Sequence, residues 1–218
     1  MVMIEDSFQH QGLRRKLVEV VKRKGISDLR VLDALMKVPR HAFMDSTFLR
    51  FAYQDQAFPI SSGQTISQPY TVAFQTQLLD LQDHQKVLEV GTGSGYQAAV
   101  LAEMGVRVFT VERIRKLFAD SQALLRKLGY PIRFFYGDGY AGLPAYAPFD
   151  RILVTAGAPA VPETLITQLA IGGILVVPVG DREVQVMTRC IRTGEDQFET
   201  TTHGSFVFVP MKPGLEER

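Results

Sequence analysis

A glycine-rich loop between a strand and a helix constrains the fold of this chain more than any other feature. The run VLEVGTGSGYQAAVLAEM places a β-rich segment ending at Val90 directly before Gly91, Gly93 and Gly95, and a helical pattern follows them. Glycine permits positive φ and a close approach of the backbone to a ligand, and the start of a helix offers free N–H groups. The pattern therefore predicts a ligand-binding turn at the carboxyl end of a parallel strand.

The segments around this loop repeat the alternation of strand and helix. Short apolar, β-rich runs follow one another from Lys86 onward: KVLEV, RVFTVE, IRFFY, FDRILVTA and GGILVVPV, most of them separated by helical stretches. Two more, EVQVMTRCIR and SFVFVP, have no helix between them, which predicts antiparallel strands at the end of the sheet. We therefore expect an α/β protein with a doubly wound, mostly parallel, seven-stranded sheet.

The N-terminal third predicts a helical addition to this sheet. Apolar residues recur at helical spacing in GLRRKLVEVV, and SDLRVLDALMKV predicts a second helix that starts at Ser27 and ends before Pro39. Residues 45–68 lack either periodicity, and their length favours a functional loop. We expect residues 1–80 to pack on a core of residues 81–218, so that the chain forms one structural domain.

Composition excludes several classes of partner. The formal net charge of +1 over 218 residues provides no field that would recruit nucleic acid, and the basic residues of the first helix predict a solvated face. No stretch approaches the roughly 20 apolar residues that a membrane span needs. A single cysteine, Cys190, fits a reducing compartment and predicts an inert core thiol. We expect a cytoplasmic protein without membrane or nucleic-acid partners.

The residues around the glycine loop indicate which ligand it binds. Glu112 ends the next strand, 21 residues after Gly91, where a carboxylate can accept hydrogen bonds from a ribose diol. Tyr96 occupies the third glycine position of the dinucleotide fingerprint, and Glu89 is a poor neighbour for a pyrophosphate but a good one for a cation. The loop, including Thr92, thus favours S-adenosylmethionine (AdoMet) over NAD.

A third element, YGDGY, follows the predicted strand IRFFY. Asp138 can accept a hydrogen bond from an adenine amino group, and Gly139 leaves room for the ring. An ordinary Asp-Gly turn is the alternative reading of the same residues.

The stretch GQTISQPY raises the question of what Ser67 does. Pro69 favours the first turn of a helix and disfavours helical backbone at Gln68, so Ser67 lies at or just outside the N-cap. Serine is common there as a cap, but the free N–H groups of a helix start also attract a carboxylate. From the residues alone, capping and substrate contact both stay open.

Several functions fit parts of this pattern. SQPY resembles the [DNS]PP[YF] motif of nucleic-acid methyltransferases, but here it precedes the cofactor loop and Gln68 replaces the first proline. A module that only senses AdoMet would keep the loop and Glu112 without needing Ser67. The spacing of the four histidines, His10, His41, His84 and His203, is not that of metal ligands. We therefore expect no metal site.

Several of these motifs together resemble the protein-L-isoaspartate O-methyltransferase family, over about Leu13 to Val209: GQTISQPY, VLEVGTGSGYQAAVLAE, VERI, GDG, FDRILVTAGAPAVPETLITQL, GGILVVPVG and the late FVP. The resemblance implies an AdoMet-methyltransferase sheet with an N-terminal helical addition. It also implies transfer of a methyl group from AdoMet to the α-carboxylate of L-isoaspartyl residues in damaged proteins. S-adenosyl-L-homocysteine would be the product, and a monomer the default state.

The resemblance also assigns residues. Ser67 falls on the active-site serine of the family motif, Gln64 and Thr65 would line the cofactor, and the backbone of Val209 would meet the substrate peptide. Tyr70 stands where some members have histidine, so a histidine base is not expected at that position.

Overall fold

A seven-stranded sheet forms the centre of the computed structural model, which describes residues 6–216. A short antiparallel pair, β1 (Phe58–Pro59) and β2 (Thr65–Ile66), precedes it in the chain. The strands of the sheet are β3 (Lys86–Val90), β4 (Arg107–Glu112), β5 (Arg133–Tyr136), β6 (Phe149–Val154), β7 (Leu169–Gly180), β8 (Gln185–Arg192) and β9 (Phe198–Phe206).

The strand order is β5-β4-β3-β6-β7-β8-β9, with parallel pairing from β5 through β7 and antiparallel pairing of β8 and β9. The order reverses beside β3, so the crevice for a ligand lies at the carboxyl end of that strand. The predicted fold class is confirmed. The last strand ends at Phe206, earlier than SFVFVP predicts, and residues 207–210 run out of the sheet toward the crevice.

Helices cover both faces of the sheet. They are α1 (Phe8–Arg23), α2 (Leu29–Lys37), α3 (Pro69–Leu78), α4 (Tyr96–Glu103), α5 (Arg115–Lys127) and α6 (Glu163–Ile166). Val87 and Leu88 are consecutive on β3 and belong to two different hydrophobic cores, because side chains alternate between the faces of a strand. None of the helices within the described residues is long and apolar enough to span a bilayer.

The N-terminal helices share a core with the sheet. Val21 of α1 and Leu35 of α2 lie in the same buried cluster as Val87 of β3 and Ala99 of α4. The division of the chain at residue 80 stays a prediction. Helix α2 begins two residues after the predicted Ser27, because the side chain of Asp28 accepts hydrogen bonds from the N–H groups of residues 30 and 31.

The segment from 45 to 68 is irregular but packed. Residues 46–51 form a 3₁₀ helix, and the rings of Phe48 and Phe51 lie 5.7 and 6.0 Å from that of Phe58. Cys190 lies in the second core, only 1% exposed, and burial raises the pKa of its thiol. Its predicted place in the core is therefore confirmed.

Candidate active site

The glycine loop joins β3 to α4 through backbone conformations that favour glycine. Gly91 has φ of +96° and Gly95, the residue before α4, has φ of +88°. A Cβ on Gly91 would lie 2.6 Å from Thr155 Oγ1, and one on Gly95 would lie 2.7 Å from Leu125 Cδ1. The loop thus has the tight turn that the sequence predicts. Gly95 is needed for the turn and for packing against Leu125, whereas its neighbours face the crevice.

The N–H groups of this loop are largely satisfied by the protein. Four of them donate to protein acceptors at 2.8–3.3 Å, those of Gly91, Gly93, Gly95 and Tyr96. A pyrophosphate needs such groups free to point at its oxygens. The geometry therefore supports the preference for AdoMet over a dinucleotide.

Glu112 ties the loop to the end of β4. Its Oε2 accepts from Gly93 N–H and its Oε1 from Ile114 N–H, both at 2.9 Å. The side chain is 95% buried but lies on the wall of the crevice. Each carboxylate oxygen keeps a second lone pair, so the group can accept ribose hydroxyls in the position that the sequence predicts.

Glu89 lies beneath the loop. It is fully buried, and Thr110 Oγ1 donates to its Oε2 at 2.5 Å, while Thr110 is itself 2.6 Å from Thr92 Oγ1. Desolvation raises the pKa of Glu89 to about 8. In this position Glu89 does not make the predicted direct contact with the cofactor, because its side chain is not exposed to the crevice. Through the two threonines it supports the loop instead.

The YGDG turn places one of its two predicted residues on the crevice wall. Gly139 lines the crevice, and a Cβ there would lie 2.5 Å from Val90 Cγ1. Asp138 does not line it, since its Oδ1 accepts from Tyr140 N–H at 2.9 Å and its Oδ2 from Gly214 N–H at 2.7 Å. One oxygen thus closes the Asp-Gly turn and the other binds the C-terminal segment, and an adenine contact stays a prediction.

Ser67 precedes the helix start and leaves the capping to another residue. Gln68 is the N-cap of α3 and makes no side-chain cap bond, while Asp55 Oδ1 accepts from Tyr70 N–H at 2.8 Å. The hydroxyl of Ser67 has no hydrogen-bond partner among residues 6–216. Because Asp55 satisfies the helix end, the serine side chain is available to a ligand.

Two grooves meet at this serine. The cofactor crevice encloses about 880 Å³ of empty space, a volume that includes open solvent. Nine of the twelve predicted site residues line it, namely Gln64, Thr65, Ser67, Gly91, Thr92, Gly93, Glu112, Gly139 and Val209. A second groove runs beside it, and four residues line both, namely Thr65, Ser67, Thr155 and Val209.

The second groove is bordered by a segment with unpaired backbone groups. Residues 207–209 follow β9, and Val207 is 76% exposed. The Val209 carbonyl accepts from Gly157 N–H, but no acceptor in the described part of the chain engages Val209 N–H. Such an extended edge can pair with the main chain of a peptide.

Sequence reasoning did not identify two polar residues of the crevice. Thr155 follows β6 and donates to the carbonyls of Val90 and Gly91, at 3.0 and 2.6 Å. Gln97 lies in the first turn of α4, 93% buried, and its Oε1 has no partner among the described residues. The position of Gln97 two residues after Gly95 is the signal that could have found it, since the first turn of that helix faces the ligand.

Two histidines that are distant in sequence lie in contact in the structure. The rings of His10 and His41 stack with centroids 3.9 Å apart, although their sequence positions lack metal-ligand spacing. With Asp6 they place three potential metal-ligand atoms within 4.8 Å. Arg14 donates to both oxygens of Asp6, at 3.1 and 2.8 Å, and a cation would have to displace it.

The chain is similar to proteins of one family over nearly its whole length. A family model described as Protein-L-isoaspartate(D-aspartate) O-methyltransferase (PCMT) matches residues 12–216. A relative from Cytophaga hutchinsonii, named protein-L-isoaspartate O-methyltransferase, is 56% identical over 208 residues, 95% of this chain and 94% of that protein. One of the same name from Dictyoglomus thermophilum is 47% identical over 95% of this chain and 94% of its own length.

Solved structures give the same result. One named protein-L-isoaspartate O-methyltransferase has a TM-score of 0.83 at 30% identity, covering 93% of this chain and 67% of its own. A Plasmodium falciparum structure assigned to the same family, in complex with S-adenosyl-L-homocysteine, has a TM-score of 0.80 at 26% identity and covers 91% of this chain and 98% of its own. The chain belongs to the protein-L-isoaspartate(D-aspartate) O-methyltransferase family.

Proposed function

We propose that this protein transfers a methyl group from AdoMet to the free α-carboxylate of L-isoaspartyl residues in damaged proteins and peptides. The methyl ester then returns to a succinimide, whose hydrolysis partly restores normal aspartate. The observation that carries the proposal is the junction of the two grooves at Ser67, Thr65, Thr155 and Val209. A methyl donor in one groove and a peptide in the other would meet at these residues.

The residues of the crevice fit AdoMet. Glu112 offers acceptors for the ribose, and Gly91 and Gly139 keep the walls close to the ligand. When bound, AdoMet supplies an electrophilic methyl group on a sulfonium, which a carboxylate oxygen takes in line as the S–C electron pair stays on sulfur, leaving neutral S-adenosyl-L-homocysteine.

No proton has to be removed from the acceptor. A carboxylate with an ordinary pKa near 4 is already ionised at pH 7, so the site needs no general base. Position 70 is a tyrosine and not a histidine, which is consistent with a site that needs no general base. The site must still align the carboxylate oxygen with the methyl carbon and exclude water. Positioning of this kind lowers the activation free energy by about 7–11 kcal/mol at best.

Ser67 provides the donor that fixes the acceptor. Its hydroxyl can donate to one carboxylate oxygen and leave the other free to attack. Val209 also lines the second groove, and its N–H can donate to the main chain of a substrate in extended form. The serine and the valine together position the peptide.

We further expect a monomer that acts in the cytoplasm and binds no nucleic acid. The net charge of +1 and the single cysteine support these expectations. A nucleic-acid or small-molecule acceptor is the alternative, and it predicts a methyl product that mild base does not cleave.

The test uses labelled AdoMet and two peptides that differ only in carrying L-isoaspartate or normal aspartate. We expect transfer to the isoaspartyl peptide alone, with the label released as methanol in mild base. Equal transfer to both peptides, or a base-stable label, would contradict the proposal.

A further inference from the structure

Arg40 is one of the largest fully buried side chains among the described residues, and its guanidinium makes no ion pair with any carboxylate of those residues. Its guanidinium donates to three backbone carbonyls instead: Nε to Ala52 at 3.0 Å, Nη1 to Ser67 at 2.9 Å and Nη2 to Gln56 at 2.9 Å. Burial lowers its pKa to about 10, so the group stays charged at neutral pH. Burying a cation without an ion-pair partner is costly, and here the fixed carbonyl dipoles offset that cost together with longer-range attraction to Asp55.

Two of these carbonyls mark the ends of one chain segment. Residues 57–66, which we call the flap, contain β1, β2 and the 3₁₀ turn between them. The flap lies against the cofactor loop, since a Cβ on Gly93 would lie 3.9 Å from Ile60 Cδ1, and its residues 64–66 line the crevice. A single planar guanidinium therefore holds both ends of the flap.

The same guanidinium contacts the cofactor helix. Its Cζ lies 5.1 Å from the ring centroid of Tyr96, within the range of a cation–π interaction. Tyr96 is the first residue of α4, directly after the glycine loop, and it is 98% buried. Arg40 thus connects the backbone of Ser67 to the helix that begins at the cofactor.

We propose that Arg40 is a positioning residue for methyl transfer, which holds the Ser67 backbone in register with the cofactor crevice and confines loop movement to the flap. This inference rests on the proposed function of Ser67. Arg40 touches only the protein, so it acts through the serine and not on the substrate. Within the functional loop that the sequence predicts over residues 45–68, movement would thus be confined to residues 57–66.

The first test compares Arg40→Lys with a matched variant elsewhere. Arg151 is also buried and also binds three carbonyls, of Leu79, Asp80 and Asp150, outside both grooves. Lysine keeps the charge but cannot reproduce the fork of donors. We expect Arg40→Lys to lower kcat/KM for an isoaspartyl peptide at least tenfold while the Kd for S-adenosyl-L-homocysteine changes less than threefold.

We expect Arg151→Lys to lower Tm but to keep kcat/KM within twofold of the wild type, at a temperature where all variants are folded. Equal kcat/KM in the two folded variants would overturn the proposal. A wild type that methylates no isoaspartyl peptide would instead contradict the proposed function, and the second test below does not depend on activity.

The second test follows hydrogen exchange of the wild-type protein by mass spectrometry. We expect slow exchange in residues 45–56 and 67–72, faster exchange in residues 57–66, and slowing of the flap alone when S-adenosyl-L-homocysteine is added. Exchange of residues 45–68 as one unit would overturn the proposal, whether or not Arg40→Lys folds.

Discussion

The roles of Ser67 and Asp55 can be separated by mutation, because the structure gives the capping task to one and leaves the other free. In Ser67→Ala, the backbone carbonyl that accepts from Arg40 is retained, and the deleted hydroxyl has no partner in the described part of the chain. We therefore expect the free energy of unfolding to change by less than about 0.5 kcal/mol.

The same substitution removes the proposed donor to the substrate carboxylate. A hydrogen bond to a charged group contributes about 1.5–3 kcal/mol, which corresponds to a fall in kcat/KM of roughly 10- to 160-fold. The assay is initial-rate methylation of an isoaspartyl peptide, combined with denaturant unfolding of the same preparation. Ser46→Ala, an exposed serine of the neighbouring 3₁₀ helix, serves as the control and should keep both values.

Asp55→Ala, unlike Ser67→Ala, should lower the free energy of unfolding. Its carboxylate accepts from Tyr70 N–H and from Gln68 Nε2, and pairs with Lys24 Nζ at 2.6 Å. Loss of a helix cap of this kind costs about 1–2 kcal/mol of unfolding free energy. If Ser67→Ala lost 1 kcal/mol or more of stability while keeping kcat/KM within twofold, the serine would be structural and the reasoning would be refuted.

Three further substitutions test residues on or beneath the wall of the cofactor crevice. Glu112→Gln replaces one carboxylate oxygen by an amide NH₂ that cannot accept from a backbone N–H, so we expect at least a tenfold weaker Kd for AdoMet by calorimetry, and an unchanged Kd would count against the ribose contact. Gly139→Ala forces a methyl group against Val90, so we expect loss of about 1–3 kcal/mol of stability together with weaker AdoMet binding; wild-type values of both would show that the turn can relax. Glu89→Gln tests the protonation of the buried carboxyl: folding raises its pKa from 4.5 to about 8, so the stability it contributes is complete below pH 4.5 and is lost as pH rises to about 8. The unfolding free energy of the wild type should therefore fall relative to Glu89→Gln across that window, by at most about 1.4 kcal/mol per pH unit, and a constant difference would mean that Glu89 is ionised throughout.

The sequence predicts the part of the site that follows from regular secondary structure. Glu112 could be placed because β3 and β4 are parallel neighbours in register, Val90 beside Val111, which brings the end of one strand to the loop after the other. The sequence predicts the Glu89 side chain in the crevice, whereas it lies in the core beneath the loop. This residue precedes the loop by two residues, but alternation along a doubly covered strand turns its side chain into the core, while the loop itself begins only after Val90.

Contacts between irregular segments could not be predicted. Asp55 caps a helix that begins 14 residues later, and Arg40 binds carbonyls 12, 16 and 27 residues away. No periodicity relates these positions, since the chain between them forms short 3₁₀ turns and a two-residue strand pair. The stacking of His10 on His41 has the same origin, because it depends on how α1 packs against the residues after α2.

The most direct test of the central claim is a structure of the protein with S-adenosyl-L-homocysteine and an isoaspartyl peptide bound together. We predict that the isoaspartyl α-carboxylate lies at the junction of the two grooves, with one oxygen within about 3.2 Å of Ser67 Oγ and the other facing the sulfur. A carboxylate bound elsewhere, with Ser67 Oγ contacting only protein or solvent, would contradict this prediction.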